Sequence, residues 1–281
     1  MSEMSNLNSP PARRPVSRTL RYLAPNVVTC LSMLCAVFAM QAALRGEIVV
    51  ACWWVAYSTL TDKLDGIVAR ALKASSPLGV QMDSLADLLN YGFCPAAITY
   101  GFFYSHPELG WAQGPERYLL AIICSAYMLC AAVRLARFNV SEGNPDFFFG
   151  VPTTFCGAIA VASMVTICKY GDPSWTPGQS YPGWRLFGDT RLDTYVPYYP
   201  LLLVFLGYLM VSSWRMPKAG KIRHRLLNRI CLAALVFGYA AAMLQRLPEF
   251  LVLVAGVYLL VSLYCHYFLT PRKKPEPFFP D

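Results

Sequence analysis

Ionisable side chains are scarce in this sequence. Only 14% of its 281 residues are Asp, Glu, Lys or Arg, against 56% that are hydrophobic, and the apolar residues fall in long blocks. A soluble chain of this length folds as one or two domains built from short amphipathic segments; this pattern excludes that class and points to an integral membrane protein. A C-x-x-C pair is also missing. The ten cysteines are scattered through apolar segments, which speaks against a zinc or disulfide framework and for reduced core packing. The first 24 residues lack an apolar stretch followed by a small-residue cleavage site, so the first spanning helix is expected to direct insertion as well. Basic residues do not alternate with aromatics in any surface array. The net charge of +8 lies at the ends of apolar runs, where membrane orientation explains it better than a nucleic-acid partner.

The apolar runs predict an all-α, polytopic membrane helix bundle of about eight transmembrane helices. Pro25 to Leu44 holds no charged residue, and twenty residues at about 1.5 Å each match a hydrocarbon core of roughly 30 Å. Helix 1 is therefore placed there, with Pro25 in its first turn. The further helices are expected at about 48–72, 78–104, 118–136, 153–168, 196–213, 229–246 and 249–269. Residues 1–20 read as a disordered basic tail, 21–270 as the membrane domain and 271–281 as a second polar tail. Residues 169–194 read as an extramembrane loop. With the N-terminus inside, the cytoplasmic side receives 17 basic residues and the opposite side 6. That asymmetry predicts both termini in the cytoplasm.

One stretch breaks the apolar pattern, DKLDGIVARALKASSPLGVQMDSLAD from Asp62 to Asp87. Asp62 and Asp65 are i,i+3 neighbours on one helix, and Asp83 and Asp87 are i,i+4 neighbours on the next, so each pair projects from one face. The Lys73–Pro77 break turns the chain back and is expected to bring the four carboxylates into one cleft near the cytoplasmic ends of two antiparallel helices. Two like charges about 4 Å apart cost roughly 4 kcal/mol at an effective dielectric near 20. Ionisable groups at membrane depth usually mark an ion or substrate path, so this cluster calls for bound cations. An all-oxygen ligand set without His or Cys suits Mg²⁺ or Mn²⁺, and two such ions would make a site for phosphate esters. The competing reading is a cation transporter that uses the acids as its pathway. Gly66 beside Asp65 favours close approach of a bulky group, Gly79 tight helix contact, and Arg70 bidentate binding of a phosphate.

The pattern D-x2-D-G-x2-A-R-x8-G-x3-D-x3-D, matched by Asp62, Asp65, Gly66, Ala69, Arg70, Gly79, Asp83 and Asp87, resembles the signature of the CDP-alcohol phosphatidyltransferase family. With residue frequencies of about 7% or less, chance agreement at one site is on the order of 10⁻⁹. MDSLADLLNYGFCPA, RLARFN at 134–139 and GVPTT at 150–154 look like the membrane-integral phosphatidylserine synthase branch.

The resemblance implies a reaction in which the serine hydroxyl attacks the lipid-side phosphorus of CDP-diacylglycerol, giving phosphatidylserine and CMP. It implies that Asp62, Asp65 and Asp83 hold two divalent cations, with Asp87 completing the ligand set of the second cation and serving as general base. Asn26, Thr29, Gly66, Arg70 and Ser76 would contact CDP-diacylglycerol. Arg134 and Arg137 are candidates for the diphosphate or the serine carboxylate, followed by Asn139 and Thr153. A homodimer in a bacterial inner membrane, with the site facing the cytoplasm, is likewise implied. Another acceptor alcohol, glycerol 3-phosphate or inositol phosphate, keeps the same chemistry. Lys63, where the family has a small or apolar residue, is expected to snorkel to the interface.

Overall fold

The computed structural model describes residues 18–72, 76–140, 147–178, 181, 185–217 and 247–264, with isolated positions between 229 and 245. Half of the expected helix at 229–246 falls outside the described residues, as do most of the N-terminal tail and the whole C-terminal tail. The described helices are α1 Arg18–Leu44, α2 Ile48–Leu72, α3 Pro77–Asp87, α4 Cys94–Ser105, α5 Glu116–Val140, α6 Thr153–Tyr170, α7 Tyr199–Val211 and α8 Pro248–Tyr264. Among the described residues, four helical segments are long and apolar enough to cross a membrane: Leu23–Leu44, Glu116–Val140, Thr153–Tyr170 and Asp193–Val211. The acidic motif removes α2 from that group, although its first half is as apolar as theirs. The architecture is thus a helical, membrane-type bundle.

Three departures from expectation have local causes. Helix α1 begins at Arg18 rather than Pro25, and Pro25 lies inside it. The expected single helix over 78–104 is interrupted by a π-helical turn, Leu88–Phe93. Pro95 has no N–H to offer Tyr91, four residues earlier, and its ring crowds that carbonyl. The turn widens, Cys94 N–H donates to Leu89 O, and the freed Tyr91 carbonyl accepts from Tyr127 Oη at 2.9 Å. Finally, an antiparallel pair of short strands, β1 Phe147–Phe149 and β2 Arg215–Pro217, joins the α5–α6 connection to the chain beyond α7. Gly150 ends β1 at φ +70°, and a Cβ there would lie 2.2 Å from Met210 O, so only glycine fits.

Helix α1 packs along α2 and also against α3 and α4, while α6 touches α2, α7 and α8. Gly157 lets α6 close onto the π turn, since a Cβ there would stand 2.6 Å from Tyr91 Cβ. Thr29 bonds Asp65, Ser84 bonds Asn139 and Arg134 bonds Thr153, so the C-terminal parts of α2 and α5 and the N-terminal parts of α1, α3 and α6 gather at one end of the bundle, where the acidic motif lies.

The other end is fastened by a buried ion pair that falls within and beyond the 169–194 loop. Lys169 Nζ lies 2.9 Å from Glu249 Oε1, and both side chains are buried. Tyr170 Oη and the Leu186 N–H donate to the same carboxylate oxygen at 2.9 and 3.1 Å. Arg185 donates to Lys169 O at 2.9 Å. The loop, α6 and α8 are clamped together, about 24 Å along α6 from Thr153. Removing one partner of a buried pair typically costs about 3–5 kcal/mol, and Lys169→Met is expected to lower the unfolding temperature of the purified protein accordingly. An unchanged unfolding temperature would show that the loop is held by other contacts.

Candidate active site

Helix α3 starts where Ser76 caps it, its Oγ accepting from the Gly79 N–H at 3.0 Å, with Pro77 at the first helical position. This cap fixes the phase of α3 so that Asp83 and Asp87 point toward α2. One carboxylate oxygen from each of Asp62, Asp83 and Asp87 lies within 4.8 Å of the others. Asp62 comes from α2 and the other two from α3, and α1 packs on both helices. A Cβ on Gly79 would come 3.1 Å from Asn26 Oδ1 and 3.1 Å from Ser76 Oγ. The glycine thus permits close contact with α1.

Asp65 stands apart from this group of three. It is buried, and its Oδ2 accepts a hydrogen bond from Thr29 Oγ1 at 2.9 Å. The expectation of four carboxylates in a single cleft is therefore refined to three in one cluster and a fourth alongside, bonded to α1. Beside the cluster is a cavity of about 130 Å³ lined by Asn26, Thr29, Asp65, Gly66, Ser76, Gly79 and Asp83. Asp83 belongs to both the cluster and the cavity wall. A Cβ on Gly66 would meet only the Arg70 guanidinium, at 3.4 Å, so no packing within the chain demands glycine there. Its bare face opens on the cavity, and the exposed Arg70 folds back over it.

Burial leaves Asp87 Oδ1 without a hydrogen-bond partner. An orphaned carboxylate oxygen is costly in a buried site; a hard cation suits three oxygen-donor side chains with no sulfur or imidazole among them, and would offset the charge of the cluster while leaving that oxygen to accept from a hydroxyl. The residues present therefore fit a hard cation, and the cluster could hold one. Lys63 is exposed and within electrostatic reach of Asp62.

The basic candidates separate. Arg134 is buried, donates from Nη1 to Thr153 Oγ1 at 3.1 Å and lies within electrostatic reach of Asp87. Arg137 turns toward α7, donating to Val211 O at 3.4 Å, and its guanidinium lies 5.6 Å from the Phe149 ring centroid. Asn139 Nδ2 donates to Ser84 Oγ at 2.9 Å, tying the end of α5 to α3. Sequence reading passed over Asn90 and Tyr91. Asn90 is fully buried and binds Ser32 on α1 through Nδ2 at 3.0 and 3.1 Å. Tyr91 places its hydroxyl 3.4 Å from Ser58 Oγ, one turn before Asp62. A second cavity, about 110 Å³ between α2, α6 and α8, has no charged residue in its wall.

Residues 22–179 match the family model described as CDP-alcohol phosphatidyltransferase. The chain belongs to the CDP-alcohol phosphatidyltransferase family. It is also similar to proteins named CDP-diacylglycerol--serine O-phosphatidyltransferase. One from Helicobacter pylori J99 is 30% identical over 251 residues, covering 88% of this chain and 92% of the relative. One from Mycobacterium tuberculosis H37Rv is 30% identical over 63% of this chain and 60% of its own length. One from Saccharomyces cerevisiae is 34% identical over 56% and 54%. The family match spans the acidic motif, the cavity-lining parts of α1, α2 and α3, and the Arg134–Thr153 contact.

Substituting Asn for Asp62, Asp83 or Asp87 keeps side-chain size and removes charge. Loss of a mere outer-shell partner typically costs about 10–100-fold in metal affinity. Each substitution is expected to weaken Mn²⁺ binding by at least about that lower bound, read by electron paramagnetic resonance titration of the purified full chain. Asp172→Asn, at the exposed far end, is expected to leave the titration unchanged.

Proposed function

We propose that this chain transfers the phosphatidyl group of CDP-diacylglycerol to the hydroxyl of L-serine, forming phosphatidylserine and releasing CMP. The observation that carries the reading is the three-carboxylate cluster opening beside a cavity walled by Asn26, Gly66 and Ser76. The names of the relatives supply the substrates. Bound divalent cations, Mg²⁺ or Mn²⁺, would neutralise the acids and polarise the phosphoryl oxygens. Asp62, Asp65, Asp83 and Asp87 would hold two of them, and the position of Asp83 on both cluster and cavity supports a shared ligand.

Asn26, Thr29, Gly66, Arg70 and Ser76 bind the nucleotide and diphosphate, the bare face of Gly66 admitting the pyrophosphate and Arg70 pairing with it. Asp87, with one oxygen unpartnered, takes the serine hydroxyl proton as the oxygen attacks the lipid-side phosphorus. The P–O bond to CMP breaks as the new ester forms. Arg134 and Arg137 supply positive charge for the diphosphate or the acceptor. A lipid substrate and a water-soluble one must both reach the site, which a cluster at one end of a membrane bundle allows. The reading includes eight spanning helices with polar tails at 1–20 and 271–281, a homodimer, and a site facing the cytoplasm of a bacterial inner membrane.

Purified protein supplied with CDP-diacylglycerol and Mn²⁺ is expected to release CMP with serine and to yield phosphatidylserine. A product formed only with glycerol 3-phosphate or inositol phosphate would shift the acceptor, and no CMP release with any alcohol would sink the reading. General bases contribute about 10²–10⁴-fold, so Asp87→Asn is expected to lower kcat by about 100-fold or more. Arg137→Ala is expected to raise the KM of one substrate; unchanged KM and kcat at normal expression would remove Arg137 from the site.

A further inference from the structure

The π turn Leu88–Phe93 stands directly between the carboxylates of α3 and the buried start of α4. Such turns are rare within helices and recur at functional sites. A π turn holds one residue more than an α turn, and one residue of α-helix is about 100° of rotation. Helix α4 is anchored in the core, where Ile98, Phe102 and Phe103 are buried. A helix running regularly from Pro77 to Ser105 would therefore carry α3 turned by about 100° about its axis. Asp83 and Asp87 would then leave Asp62, which belongs to α2. Repulsion among the three carboxylates favours that rotation, so the extra residue has to be held in place.

Four helices hold it. Asn90 binds Ser32 of α1 through Nδ2, and the Tyr91 hydroxyl lies 3.4 Å from Ser58 Oγ of α2. Gly157 of α6 lies against the Tyr91 backbone, where a Cβ would stand 2.9 Å from Tyr91 Cα. From α5, the buried Tyr127 donates its hydroxyl proton to Tyr91 O at 2.9 Å. This last contact differs in kind. Pro95 denies the Tyr91 carbonyl the N–H that a regular helix would supply four residues on, and the Tyr127 hydroxyl replaces it. Without that donor the carbonyl would be buried and unpaired, at the full cost of its desolvation. We propose that Tyr127 and Pro95 together set the rotational phase of α3. Tyr127 is the positioning residue, acting on Asp83 and Asp87 through the Tyr91 carbonyl, and neither it nor Pro95 lines the cavity beside the cluster. This role rests on the cation-holding reading of Asp62, Asp83 and Asp87, whichever alcohol is the acceptor.

The test compares purified full chains of wild type, Tyr127→Phe, the double variant Pro95→Ala with Tyr127→Phe, and Tyr170→Phe, reading thermal unfolding and Mn²⁺ titration by electron paramagnetic resonance. Tyr127→Phe keeps the ring and removes the donor. It is expected to lower the unfolding temperature and to weaken Mn²⁺ binding about tenfold, the lower end of what losing an outer-shell partner costs. In the double variant, the new N–H at position 95 satisfies the Tyr91 carbonyl within a regular helix. Its unfolding temperature is expected to recover above that of Tyr127→Phe, while Mn²⁺ binding weakens by about tenfold more. Tyr170→Phe removes a buried tyrosine donor at the other end of the bundle, and is expected to lower the unfolding temperature with the titration unchanged. A merely structural tyrosine would let stability and Mn²⁺ affinity recover together in the double variant, or leave the affinity unchanged throughout. Either result overturns the inference. A crystal structure of the double variant separates the inference from the cation reading. A regular helix through 88–93, with Asp83 and Asp87 turned from Asp62, upholds the positioning role even where wild type binds no Mn²⁺, a result that contradicts the cation reading alone. An α3 that keeps its wild-type phase overturns the role.

Discussion

Like-charge repulsion at membrane depth is the constraint on which this structure depends. Oxygens of Asp62, Asp83 and Asp87 share a space 4.8 Å across. Each ionised pair at about 4 Å opposes folding by roughly 4 kcal/mol at an effective dielectric near 20, comparable to much of the net stability of a domain. The helices carrying them must be pressed together by contacts made elsewhere. Helix α1 does most of this: Asn26 meets Gly79, Thr29 holds Asp65, and Ser32 receives the Asn90 amide. On the other flank, Asn139 ties α5 to α3 through Ser84. The repulsion is thereby opposed by packing, and the carboxylates are held in an arrangement that could hold a cation.

The bundle divides its polar chemistry between two ends. At one, acids and Arg134 are left with unpaired atoms, Asp87 Oδ1 and Arg134 Nε. At the other, Glu249 receives Lys169, Tyr170 and the Leu186 N–H. A fully paired buried ion network fastens a fold; a half-paired one is a place where something else binds. The length of α6 separates the two ends, which lets one be rigid without filling the other.

The acidic motif, its glycines and the helices bearing them were legible because their signals are local: fixed spacings and long apolar runs. The cap at Ser76 was visible as Ser-Ser-Pro. What escaped depended on residues distant in sequence or on a backbone exception. Asp65 separates from the other acids because Thr29, 36 residues earlier, takes its oxygen. Lys169 and Glu249 are 80 residues apart, and nothing in either neighbourhood marks a pair. The strand pair joins segments far apart in sequence and is too short for a period-two pattern to show. The π turn did leave a trace in Pro95, whose missing N–H had to disturb a helix drawn as continuous through it. Helix α1 begins before Pro25 because one internal proline is tolerated where packing against α2 supports the turns around it.

The most direct measurement is an anomalous-scattering experiment on crystals of the full chain grown with Mn²⁺. The account predicts a manganese peak enclosed by Asp62, Asp83 and Asp87, with an Asp87 oxygen among its ligands. A map with manganese bound elsewhere, or with these three side chains directed away from one another, would contradict it.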